Sequence, residues 1–248
     1  MKLKRTLVST LVWLIFGVTM VIFFIVFLIL WIVSIPFDRK HYFTQWLTWC
    51  WCSVYANIYP FWKIEFINKE KLFRNRAAIA VSNHQSLLDI MVLFYMYAYF
   101  VWVSKLENFK APILGQVMRI NRYISLVRND KKTFPKMFEG ISKALKENKT
   151  IMIFPEGTRS LTEELNRFKE GAFKAAIDNK VPIIPIVLDG TGKTVPKEGM
   201  TFSGKTKITV KVLDIIPYEN FPSYDPAILK DYVRDIIDAE LKLLRKRS

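Results

Sequence analysis

Residues 77–105 read AAIAVSNHQSLLDIMVLFYMYAYFVWVSK. The run Ala77–Asn83 is short, apolar and ends in polar residues, as a buried strand does. Leu87–Phe100 reads as a buried helix, and Tyr99–Lys105 as a strand running out of it. The pattern repeats further along. KIEFIN alternates from Lys63 to Asn68, and ISLVRN forms another strand from Ile124 to Asn129. Phe134–Asn148 has helical spacing, with Phe134, Phe138, Ile141 and Leu145 on one face. TIMIFPEGTRS, Thr150–Ser160, is a buried strand ending in a turn. FKEGAFKAAIDN is a helix, VPIIPIVLDG a strand, and KITVKVLDIIP alternates clearly. The last helix has Asp225 as its N-cap, Pro226 in its first turn and a basic C-terminus. Strands alternating with helices define an α/β fold: a mostly parallel sheet flanked by helices.

Within the opening stretch, His84 stands five residues before Asp89. On a continuous helix that spacing turns the side chains about 140° apart. They meet only if His84 lies ahead of the helix. Ser86 is a good N-cap and Asp89 falls in the capping-box position, so the helix start gives that arrangement. An imidazole near a helix N-terminus favours its neutral form. A carboxylate on one ring nitrogen then leaves the other to accept a proton. The plainer reading is a capping carboxylate beside a loop histidine bonded to backbone. If the pair is catalytic, it is two-thirds of a serine-protease triad without the serine, and the nucleophile is a hydroxyl of the substrate.

The turn after Thr150–Phe154 adds cations. In open α/β sheets ligands bind at the carboxyl ends of the strands. Gly157 suits a tight turn with positive φ, and Arg159 suits bidentate contact with a phosphate. Lys105 and Arg128 also follow apolar strands. With His84, these residues suit a phosphorylated alcohol. A backbone N–H of the Pro155–Thr158 turn is one place for an oxyanion donor.

The first 62 residues differ in character. No charged residue occurs from Leu7 to Phe37. That run is too long for the apolar region of a secretory signal, about 7–15 residues, and exceeds the ~20 residues that span a bilayer. An aromatic segment, Phe43–Trp62, follows the polar turn at Asp38–Lys40. The sequence thus divides into a two-helix membrane-associated motif, residues 1–62, and an α/β domain, residues 63–248. Basic residues lie both before the first helix and in the turn, so a true span and a shallow hairpin in one leaflet both remain open. The hairpin, with the domain on the cytoplasmic face of an inner or plasma membrane, is the favoured arrangement. The formal net charge of +15 favours anionic partners. No nucleic-acid motif accompanies it, and the membrane segment directs it to anionic lipid. Cys50 and Cys52 are two small apolar residues, too close for an ordinary disulfide and without neighbours for a zinc site.

Asn83-His84-x-Ser86-x-x-Asp89, followed by Phe154-Pro155-Glu156-Gly157-Thr158-Arg159-Ser160, resembles the glycerolipid acyltransferase family. FKEGAF and VPIIPIV resemble its later blocks, so the likeness runs from Ile79 to Leu188. It implies that His84 and Asp89 are the catalytic dyad. It further implies that Glu156, Gly157, Thr158 and Arg159 bind the acceptor, with Lys105 and Arg128 on its phosphate. One departure stands in the second block: many members have a glycine six residues before that arginine, and this chain has Arg122. The implied reaction moves a fatty acyl group from acyl-CoA or acyl-carrier protein to the sn-2 hydroxyl of lysophosphatidic acid, with no cofactor and no metal. Alternatives are acylation of another lysophospholipid or of glycerol 3-phosphate, or a non-catalytic lipid carrier. The absence of a Gly-x-Ser-x-Gly elbow weighs against a serine esterase.

Overall fold

A computed structural model describes residues 2–58, 62–72, 77–127, 130–160, 162, 164–195, 201–202 and 205–246. Two helices come first: α1 (Lys2–Ser34) and α2 (Tyr42–Ile58). Then follow β1 (Trp62–Ile67), β2 (Ala78–Ser82), α3 (Leu88–Tyr95), β3 (Phe100–Lys105), α4 (Leu114–Ile120), β4 (Ile124–Leu126) and α5 (Phe134–Lys146). The chain continues through β5 (Thr150–Ile153), α6 (Gly171–Asn179), β6 (Ile183–Asp189), α7 (Thr191–Thr194), β7 (Thr206–Val212) and α8 (Pro226–Lys246).

The seven strands form one sheet in the order β1-β7-β6-β2-β5-β3-β4. All neighbours are parallel except β6 and β7, which pair antiparallel. The mostly parallel α/β sheet expected from the sequence is present. Alternation along the central strands divides the core between two faces. Ile79, Val81, Ile151 and Ile183 face α5, α6 and α8 through Ile141, Phe173 and Val233. Ala78, Ala80, Met152 and Ile184 face the other side, where Val92, Leu93 and Phe94 of α3 and Trp49 and Cys52 of α2 cover them. The helix expected from Leu87 to Phe100 is shorter: Tyr97, at φ 58°, reverses the chain so that β3 can begin at Phe100. Met137 joins Ile141 and Leu145 as the buried face of α5, while Phe134 and Phe138 lie half-buried beside them.

The two N-terminal helices are fastened to the sheet domain by polar bonds. Asp38 accepts the N–H groups of Tyr42 and Phe43 at 2.9 and 2.8 Å and so starts α2. The Thr44 hydroxyl donates to Asn121 at 2.8 Å, the Tyr123 hydroxyl donates to Gln45 at 3.0 Å, and the Tyr99 hydroxyl donates to the Lys40 carbonyl. The hydropathy break near residue 62 is therefore not a break in packing, because α2 closes one face of the sheet. The outer face of α1 is exposed and apolar, including Leu14, Val18, Ile25 and Ile29. Its Thr6–Ser34 portion, with mean hydropathy 3.0, is long and apolar enough to cross a membrane.

Candidate active site

The site lies where β2, β5 and β3 end side by side. β2 stops at Ser82, and residues 83–86 form a loop before α3. Each residue of this loop has its own anchor. The Asn83 side-chain amide donates to the Leu188 carbonyl and its oxygen accepts the Leu188 N–H, both at 2.8 Å. A side chain thus copies a strand-to-strand pairing and carries the loop onto β6. His84 is gripped on both sides: its N–H donates to Glu156 Oε1 at 2.7 Å, and its carbonyl accepts the Ser160 N–H at 2.8 Å. The Gln85 carboxamide faces the Thr191 hydroxyl at 3.4 Å. The Ser86 hydroxyl donates to the Val195 carbonyl at 2.8 Å and accepts the Leu88 N–H at 3.3 Å. Ser86 is fully buried and spent on backbone, so it is not a hidden nucleophile.

His84 Nδ1 lies 2.7 Å from Asp89 Oδ2. The same oxygen accepts the N–H of Gln85 at 2.6 Å and of Ser86 at 2.9 Å. α3 starts one residue later than the sequence reading placed it, with Leu87 and not Ser86 as its N-cap, and the Asp89 carboxylate holds the loop N–H groups ahead of the helix as well as the histidine. A carboxylate oxygen that already accepts two backbone N–H groups pairs with a proton-bearing Nδ1, which fixes the tautomer and leaves Nε2 as the basic nitrogen. Asp89 is fully buried, while the His84 ring keeps 14% of its surface exposed. The ring is stacked on Phe154, centroids 4.0 Å apart and planes at 13°, and Phe154 leans on Trp102.

The Glu156 carboxylate is turned to backbone. It is 4% exposed. Oε1 accepts the His84 N–H and Oε2 the Asn166 N–H, the latter at 3.0 Å. Burial holds its carboxyl above the ordinary range, and the two backbone N–H groups oppose that rise. Gly157 takes φ +69° in the tight turn, as expected. Its N–H closes the turn on the Phe154 carbonyl at 3.0 Å. Thr158 is exposed and Arg159 half-buried at the same edge. Lys105 ends β3 on the same side of the sheet. Arg128 lies outside the described residues.

Lys169 also stands at this turn. Its N–H donates to the Pro155 carbonyl at 2.8 Å, and its ammonium would stand 3.1 Å from a Cβ built on Gly157. In the sequence it belongs to FKEGAF, which starts at Phe168, downstream of the Arg159 turn. Arg122, the departure in the second block, has φ 56°. That is a conformation glycine reaches without steric cost and arginine adopts here.

Beside the loop is an apolar cavity of about 310 Å³. Leu87 and Leu88 form its wall next to the dyad; Trp13 and Met20 of α1, Trp51 of α2 and Met118 of α4 form others.

Fold and site define an α/β protein with a histidine–carboxylate pair on the carboxyl edge of a mostly parallel sheet, flanked by cations and an apolar cavity. The chain belongs to the Acyltransferase family, whose model matches residues 63–189. It is 36% identical over 178 residues to a chloroplastic 1-acyl-sn-glycerol-3-phosphate acyltransferase of Arabidopsis thaliana, covering 71% of this chain and 49% of that protein. A 1-acyl-sn-glycerol-3-phosphate acyltransferase of Saccharomyces cerevisiae is 31% identical over 82% of this chain and 68% of its own length. The chain spans about half the length of the first curated relatives it matches. The crystal structure of the LPA acyltransferase PlsC from Thermotoga maritima superposes with a TM-score of 0.82 at 23% identity, covering 98% of this chain and 97% of that one.

Proposed function

We propose that the protein transfers a fatty acyl group from an acyl thioester, acyl-CoA or acyl-carrier protein, to the sn-2 hydroxyl of 1-acyl-sn-glycerol 3-phosphate, giving phosphatidic acid. The observation that carries this reading is His84 held by buried Asp89 at 2.7 Å, with no protein nucleophile in its loop. The names of the relatives supply the acceptor, and the cation-bearing sheet edge and apolar cavity match its two halves.

In this mechanism Arg159, Lys105 and Arg128 hold the phosphate. Gly157 and Thr158 form the turn that presents Arg159. His84 Nε2 takes the hydroxyl proton as the acceptor oxygen bonds to the thioester carbon, and Asp89 stabilises the imidazolium. The tetrahedral adduct collapses with cleavage of the carbon–sulfur bond, and the departing thiolate takes the proton from His84. No acyl-enzyme forms. Glu156 positions the His84 backbone and does not touch the acceptor. Fixing base and acceptor on one rigid edge makes attack effectively unimolecular, which is the chief source of acceleration. The cavity beside Leu87 and Leu88 takes an acyl chain.

The α1–α2 pair docks the enzyme on the cytoplasmic face of the inner or plasma membrane as a hairpin in one leaflet. Its exposed apolar face supports this, as does its length: 33 residues of helix reach about 50 Å against a hydrocarbon core of about 30 Å. The deciding experiment is an acyl-transfer assay on the purified full chain with both thioester types. The acceptors are lysophosphatidic acid, its dephosphorylated analogue, glycerol 3-phosphate and other lysophospholipids. Phosphatidic acid should form fastest. Thioester cleavage that ignores the acceptor would overturn the reading.

A further inference from the structure

The chain beyond the Arg159 turn comes back to that turn at two points. The Asn166 N–H donates to Glu156 Oε2 at 3.0 Å, and the Lys169 N–H donates to the Pro155 carbonyl at 2.8 Å. Leu165 and Phe168, each next to one of these pins, are buried in the core. The backbone of Lys169 is thereby fixed, two residues before α6 begins at Gly171. Lys169 itself is exposed.

Gly157 sets where its side chain goes. A Cβ on Gly157 would stand 3.1 Å from Lys169 Cε, 3.1 Å from Nζ and 3.4 Å from Cδ. The outer half of the lysine therefore lies across the bare face of the turn, in space that any other residue at position 157 would fill. Gly157 serves twice: it takes φ +69°, and it leaves this space open. Other lysines of the domain meet carboxylates: Lys174 pairs with Asp178 at 3.0 Å, Lys149 with Glu147 at 2.7 Å and Lys211 with Glu240 at 2.6 Å. Lys169 meets none among the described residues. Its ammonium is laid instead over the turn that presents Arg159, and that turn starts at Phe154, the residue stacked on the His84 ring. A further cation on this edge raises its positive potential and suits it to an anion.

We propose that Lys169 is a further substrate-contacting residue: its ammonium binds a phosphate group of a substrate at the Gly157 turn. This deepens the acyltransfer reading and rests on it. The ligand chemistry is a phosphate ester, and the reaction brings two of them. One is the phosphate of the lysolipid acceptor. The other is the phosphate on the pantetheine arm that acyl-CoA and acyl-carrier protein share. A lysine suits either, because it offers a point charge with three donors and needs no fixed fork geometry.

The test compares the full-length protein with three variants. Lys169→Met keeps the apolar stem over Gly157 and removes the charge, Lys169→Arg keeps the charge, and Lys169→Glu reverses it. One series sets lysophosphatidic acid against its dephosphorylated analogue at constant donor. A second sets whichever thioester the wild type accepts against the same acyl group on pantetheine without the phosphate, at constant acceptor. Lys169→Met should raise KM about tenfold for the phosphate-bearing member of one series, the worth of a charge-assisted hydrogen bond. The phosphate-free member, kcat and thermal unfolding should stay near wild type. Lys169→Arg should recover most of the loss and Lys169→Glu should deepen it. A selective rise in the acceptor series assigns Lys169 to the acceptor phosphate; a selective rise in the donor series assigns it to the pantetheine phosphate. Unchanged KM throughout, equal changes with and without the phosphate, or a loss confined to kcat or to thermal stability overturns the proposal. A wild type that makes no acylated product from any thioester would remove the acyltransfer reading itself, and this proposal with it.

Discussion

The loop that carries His84 and the apolar cavity meet at Leu87 and Leu88, just past the loop's end, and are built on opposite rules. From Asn83 to Ser86 each side chain or backbone group has a directional partner on another segment: Leu188, Glu156, Ser160, Thr191, Val195 or Asp89. The cavity walls are apolar and include methionines at three places. Proton transfer depends on hydrogen-bond reach, so the base must not drift. Holding a chain depends on apolar area removed from water, which is non-directional and tolerates adjustment. The contrast teaches where substitutions should hurt. In the loop they should cost rate steeply; around the cavity and the helical pair they should change preference or stability.

The largest expected effect is at the dyad. His84→Ala should lower kcat by about 10²–10⁴, the contribution of a general base, with circular dichroism and thermal unfolding near wild type. Wild-type turnover would break the comparison at its strongest point. Next is the cationic edge. Arg159→Ala should raise the apparent KM for the phosphorylated acceptor by about tenfold or more, the worth of a charge-assisted hydrogen bond. The dephosphorylated analogue should change little, and Arg159→Lys should not restore the loss. Equal effects on both acceptors would remove Arg159 from the phosphate site.

Glu156→Gln tests rigidity alone. The variant presents one acceptor oxygen and one NH₂ to two backbone N–H groups, so one bond of about 1 kcal/mol is lost and kcat should fall several-fold at unchanged KM. A pH signature separates this from simple loss of fold. The folded carboxyl sits above its unfolded value because it is buried. The wild type therefore loses stability relative to the glutamine variant as pH rises from the ordinary carboxylate range through the raised folded value, and regains it as pH falls back. A pH-independent difference in urea midpoints would show that burial of Glu156 has no such cost.

The smallest effect should come from the helical pair. Asp38→Asn keeps one acceptor for Tyr42 and Phe43 and should cost about 1 kcal/mol or less, read by thermal unfolding, with kcat unchanged. A loss of kcat comparable to Glu156→Gln would mean that the hairpin and the loop are not separate regions in the sense argued above.

Much of this was legible in the sequence because its causes are local. Alternating apolar runs gave the strands, and the Ser86-x-x-Asp89 spacing placed His84 ahead of its helix, within reach of Asp89. The positive φ of Gly157 and the asparagine-and-histidine loop after a buried strand were likewise written in neighbouring residues. What the sequence could not express is partnership between distant segments. Glu156 reads as one more polar residue of a turn, and only the adjacency of β2 and β5 makes it the support for the His84 backbone. Lys169 comes back to Gly157 through the pairing of its N–H with Pro155. The hydropathy break near residue 62 marks off the two-helix motif, but it does not tell that Trp49 and Cys52 of α2 are buried on the same face of the sheet as Ala78 and Ala80. That α4 must pass close to Phe109, with room only for glycine at position 115, is likewise a tertiary fact. Local patterns fix which elements form, because helix and strand are decided by residues a few positions apart. Which surfaces those elements bury, and which side chains then meet, is settled only when the sheet order brings segments about a hundred residues apart into contact.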